Sequence, residues 1–125
     1  MPDMKNALLS IALTLCFIML FAESANACAI LKTGDPKVGS TVRSVDISSV
    51  NLEFTSKVFA DKSTITVADE TGKTVSTGSV HSNGSNDHSI TIDVSTLSPG
   101  KYKVSWEVFC ECGQLTPGDY KFTVK

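Results

Sequence analysis

Tyr102-Lys103-Val104-Ser105-Trp106-Glu107-Val108 alternates without a break, apolar at even positions and polar at odd ones. Successive side chains of an extended chain point to opposite faces, so this segment reads as a strand with one face on a core and the other in water. Working outward, Val50-Asn51-Leu52-Glu53-Phe54, Ile65-Thr66-Val67, Ile90-Thr91-Ile92-Asp93-Val94 and Tyr120-Lys121-Phe122-Thr123-Val124 repeat the pattern. The breaks between them carry turn chemistry: Asp35-Pro36-Lys37-Val38-Gly39, Glu70-Thr71-Gly72-Lys73, Asn83-Gly84, Ser98-Pro99-Gly100 and Thr116-Pro117-Gly118. No segment after residue 27 sustains a helical apolar period. About seven strands with regular turns predict an all-β fold, a single antiparallel β-sandwich of Greek-key type. Trp106, on the inward face of the strongest strand, is the expected anchor between the two sheets.

The start of the 125-residue chain reads differently. Residues 7–22 are an uncharged apolar run behind Lys5, followed by Ala25-Asn26-Ala27, the small-x-small pattern cut by signal peptidase. Residues 1–27 are therefore expected to be a signal peptide, and 28–125 one exported domain too short for a second core. A lipoprotein form is disfavoured by Ala25 and Asn26, where an aliphatic and a small residue usually precede the cysteine. An uncleaved membrane anchor is disfavoured by the run's length. The exported part holds ten basic and eleven acidic residues. So small a net charge argues against a nucleic-acid binder held by phosphate contacts and against a polybasic membrane-surface protein.

Little in the chain suggests catalysis. There is no Gly-rich phosphate loop, Gly-x-Ser-x-Gly elbow or His-Glu-x-x-His helix, so an enzyme is not expected. The two histidines, His81 and His88, flank the Asn83-Gly84 loop. A turn at Gly84-Ser85 would make them cross-strand partners able to chelate an ion. A turn at Asn83-Gly84 would not, and solvated loop histidines are the plainer reading. The distinctive feature is Cys110-Glu111-Cys112-Gly113, which directly follows the strongest strand. While strand geometry lasts, both thiols point to one side, where each could reach a soft metal at about 2.3 Å. Their Cα atoms would stand roughly 6.5–7 Å apart, at the upper limit for a bridge between them. Cys28 would be the mature N-terminus, offering an α-amine and a thiolate to one ion.

From Cys28 to Val42 the chain resembles the opening of the CopC-type periplasmic copper-binding proteins, whose mature chains begin with His and soon reach a Pro-x-x-Gly turn. Leu97-Ser98-Pro99-Gly100-Lys101-Tyr102-Lys103-Val104-Ser105-Trp106 is similar to their Leu-x-x-Gly-x-Tyr-x-Val-x-Trp strand. Gly113, Gly118, Phe122 and Val124 fall at the spacing of their closing Asp-Gly-His-x-x-x-Gly-x-x-x-Phe-x-Val. The resemblance implies an immunoglobulin-like or cupredoxin-like sandwich and a copper-holding role in the periplasm. It also implies a copper(II) site built from the N-terminal His and the Asp and His of Asp-Gly-His. Here those positions hold Cys28, Cys112 and Gln114, and Cys110 replaces a Ser common in the family. The family's Met-rich copper(I) loop has no counterpart, because all three Met precede residue 20.

The exchange toward thiolate is coherent. Thiolates select copper(I), zinc or another thiophilic ion, whereas copper(II) tends to oxidise them. The expected metal ligands are accordingly Cys28, Cys110 and Cys112, converging at one end of the sandwich, in a monomeric metallochaperone-like protein of copper resistance. On family analogy a membrane copper transporter is its partner. Two alternatives stay open: an interaction module stapled by a disulfide from Cys28 to Cys110 or Cys112, and a thiol-redox protein using Cys110 and Cys112. An odd number of exported cysteines leaves at least one outside any bridge within the chain.

Overall fold

The computed structural model describes residues 29–84 and 86–125; the expected signal peptide and Cys28 lie outside them. The chain runs through eight strands: β1 (Leu31–Asp35), β2 (Thr41–Val42), β3 (Ser49–Phe54), β4 (Val58–Asp69), β5 (Ser76–Asn83), β6 (Asn86–Val94), β7 (Gly100–Cys110) and β8 (Leu115–Val124). They form two four-stranded sheets, ordered β1-β3-β6-β5 and β2-β8-β7-β4. All pairings are antiparallel except the two-residue contact of β2 with the end of β8. The all-β sandwich is thus the one the alternation predicts, with β1, β2 and β5 added to the five alternating segments.

The inward faces follow parity. Val50, Leu52 and Phe54 of β3 meet Tyr102, Val104, Trp106 and Val108 of β7 across the core, with Ile90, Ile92, Ile65, Val67 and Phe122 beside them. Each large aliphatic or aromatic side chain buried in this way contributes about 1.5–3 kcal/mol relative to exposure. Trp106 is the hub: its ring lies edge-on to Phe54, with centroids 6.0 Å apart, and 6.0 Å from Tyr120. Tyr102 stacks on Phe122 at 5.6 Å and donates its hydroxyl to the Ser98 carbonyl at 2.6 Å, which pins the turn before β7.

Two strands escaped the pattern for physical reasons. β5 is a sheet edge with only Ser76 and Val80 half-buried, so it has no apolar face to alternate. β4 carries an irregularity between Phe59 and Thr64, where Ala60-Asp61-Lys62 breaks the alternation. Thr116-Pro117-Gly118, read as a turn, lies inside β8. Beside Pro117 one side of β8 carries no ladder, since β2 reaches only Thr123 and Val124.

Candidate functional site

β7 ends at Cys110, and the chain turns at once through Glu111, Cys112 and Gly113 into β8. The Gly113 amide donates to the Cys110 carbonyl at 2.9 Å, and the Cys110 amide donates to Gln114 O at 3.2 Å. Gly113 adopts φ +83, a left-handed conformation that a Cβ would strain, which is why glycine closes this loop. Strand geometry therefore stops between the two cysteines, and their side chains do not share a face. Cys110 is wholly buried opposite Val58, its thiol 3.5 Å from the Gln114 carbonyl. Cys112 sits exposed on the turn.

The two also differ in oxidation state: Cys110 is a free thiol and Cys112 is disulfide-bonded. The chain's other cysteines, Cys16 and Cys28, lie outside the described residues. The segment that follows Cys28 is firmly held near this turn. Ala29 is buried, the Ile30 amide donates to Thr55 Oγ1 at 3.2 Å, and the Thr55 amide donates back to the Ile30 carbonyl at 2.9 Å. Two residues on, the Lys57 carbonyl accepts from the Glu111 amide at 3.1 Å. The start of the domain, the end of β3 and the Cys110–Gln114 turn thus meet at one end of the sandwich. Among the described residues no group of three His, Cys, Asp or Glu side chains is placed to hold a metal ion.

The histidines stay apart. The hairpin closes at Asn83↔Asn86, the register that would pair them, but a shift between Ser82 and Asn83 sets His81 opposite Thr91. His88 turns its Nδ1 to the Asp87 carboxylate at 2.8 Å, and His81 lies 3.3 Å from the Ser79 carbonyl.

Residues 31–125 match the CopC domain. The chain belongs to the CopC domain family. Its fold is similar to that of CopC from Methylosinus trichosporium OB3b, with a TM-score of 0.70 and 28% identity over 78% of this chain and 93% of that one. It is also similar to PcoC, a methionine-rich copper resistance protein from Escherichia coli, with a TM-score of 0.65 and 23% identity over 79% and 100% of the two chains. No curated protein matches the chain. Carboxylates and imidazoles suit copper(II), whereas thiolates suit softer ions. Among the described residues, the buried thiol of Cys110 and the disulfide-bonded Cys112 do not make a copper(II) site of His and Asp.

Proposed function

We propose that this chain is an exported, periplasmic copper-binding protein of copper resistance that holds or passes copper(I) on thiolates. Cys28, Cys112 and Cys110 are the proposed ligands, with a membrane copper transporter as the receiving partner. The observation that supports this reading is Cys112, exposed on the turn after β7, where the resemblance to the family leads one to expect its Asp ligand. In the oxidised chain Cys112 is committed to a disulfide, for which Cys28 is the proposed partner, so metal binding belongs to the reduced chain. Cys110 joins the ion only if the Glu111–Gly113 turn opens, because its sulfur faces the core. Copper X-ray absorption on the reduced, processed chain tests the reading. A first shell of sulfur alone supports it, and a nitrogen–oxygen shell contradicts it.

A second reading is favoured by the same disulfide. Closing the chain from residue 28 to 112 would staple the first strand to the β7–β8 turn and stabilise an exported interaction domain without any metal. A reduced chain that takes up no thiophilic ion would select this reading.

A further inference from the structure

The β5–β6 hairpin is paired in registers that do not agree. At its tip Asn83 faces Asn86, and this register continued down the strands would set His81 opposite His88. The observed pairing instead sets Ser82 opposite Ile90 and His81 opposite Thr91, which leaves Asp87, His88 and Ser89 as extra residues on β6. Lower down, β5 spends Gly78, Ser79 and Val80 against Ile92 alone before Thr77 meets Asp93. Carrying the tip register to His81 replaces these two irregularities by a one-residue bulge on β6. Little holds β5 in its present place. It is an edge strand in which only Ser76 and Val80 are half-buried and every other residue is exposed. Register is weakly specified in such a strand, which is polar on both faces and contains glycine.

Both imidazoles are already turned for an ion. His88 Nδ1 lies 2.8 Å from the Asp87 carboxylate, and His81 Nδ1 lies 3.3 Å from the Ser79 carbonyl. An Nδ1–H held by oxygen leaves Nε2 as the ligating nitrogen, the usual arrangement of a metal-bound histidine. Each contact is made within two residues of its histidine, so both survive a change of pairing between the strands. We propose that this hairpin is a metal site built from none of the cysteines: a divalent cation with affinity for imidazole bridges His81 and His88 and draws β5 into the tip register. Cross-strand partners have Cβ atoms about 5 Å apart, close enough for two imidazoles to share one ion. The ion selects this register because it meets the two imidazoles together there and singly in the observed pairing. Against that gain stand the Asn86 Oδ1 contact with the His88 amide, at 3.0 Å, and the partial burial of Val80. Water completes the coordination shell. The site works without copper(I) or free thiols, so it stands or falls apart from the function proposed above.

Zinc(II) titrated into the oxidised, processed chain provides the test. Zinc is redox-silent, and in this form Cys112 is committed to its disulfide while Cys110 is buried. One zinc should bind, and nuclear magnetic resonance should then show contacts between the His81 and His88 rings that the metal-free chain lacks. Amide shifts should concentrate on residues 76–83 and 86–92. His81→Ala and His88→Ala should each remove the binding; neither side chain belongs to the buried core, so both variants should keep the fold. Asp87→Asn should weaken binding about tenfold, the loss expected of a group that orients a ligating histidine. A chain that takes up no zinc would overturn the proposal. So would uptake that is unchanged in both histidine variants, or uptake that leaves His81 paired with Thr91.

Discussion

Trp106 packs directly on Gly118, its partner across the β7–β8 ladder, so closely that a Cβ at position 118 would stand 2.4 Å from the indole Cζ2 and 2.5 Å from Cε2. No real Cβ approaches a ring carbon this closely. The glycine is what allows the indole to lie within the sandwich, and the indole in turn joins Phe54 of one sheet to Tyr120 of the other.

Gly118→Ala should therefore force the indole or the β8 backbone to move. Overpacking of this kind costs about 1–3 kcal/mol, a fall in Tm of roughly 5–15 °C for a domain of this size. Thermal unfolding followed by Trp106 emission checks it. An unchanged Tm would mean that the indole does not occupy this position.

Much of this core was legible in the sequence because half-buried strands write their burial as alternation. Trp106, Tyr102, Val50, Leu52, Phe54 and Phe122 all lie where parity puts them. Parity fails just past Cys110. Cys110 and Cys112 share a face only if the strand continues, and Gly113 at positive φ ends it. β5 and the irregular part of β4 were invisible because edge strands need no apolar face. The outward position of Phe109 follows from the same parity, but its row with Phe59 and Leu115 does not. Its members come from three strands, and only the register of the pairs reveals that they are neighbours.

Alkaline pH should destabilise the domain through its tyrosines. The Tyr120 hydroxyl donates to the Pro36 carbonyl at 2.7 Å, and burial pushes its pKa well above the ordinary value, with the Asp35 charge adding to the shift. Burial likewise raises Tyr102, helped by the nearby Asp69. A raised folded pKa means that the unfolded chain releases its proton first. The stabilisation is thus complete below about pH 10, the unfolded value, and is lost as the pH rises from there toward the folded values. Urea midpoints should fall across this range, and Tyr120→Phe should flatten the fall. The same variant should cost about 1–2 kcal/mol at neutral pH, because the Pro36 carbonyl loses its donor. A midpoint that stays level to strongly alkaline pH would contradict the buried hydroxyls.

The two cysteines should behave differently toward alkylating reagents. Cys110 is wholly buried, so in the folded chain iodoacetamide should label it only at the rate of opening. After reduction Cys112 should react promptly, because it sits exposed on the turn. Peptide mass mapping of labelled samples reads both rates. Prompt labelling of Cys110 in the unreduced, folded chain would contradict the buried thiol.

Reduction should also be felt in stability. With Cys28 as the proposed partner of Cys112, the bridge closes more than eighty residues, and native bridges typically contribute about 2–4 kcal/mol. The urea midpoint of the metal-free, processed chain should fall on reduction and in Cys112→Ser to the same extent. Equal midpoints for oxidised and reduced chains would show that the bridge does not hold the domain together.

The proposal that copper is carried on sulfur is tested most directly by titrating copper(I) into the processed chain against a chromogenic copper(I) chelator, before and after reduction. The reduced chain should withdraw one equivalent from the chelator, and Cys112→Ser should lose most of that capacity. The oxidised chain, with Cys110 as its single buried thiol, should withdraw none. A reduced chain that leaves the chelator fully loaded would contradict the thiolate site, as would equal uptake by the oxidised form.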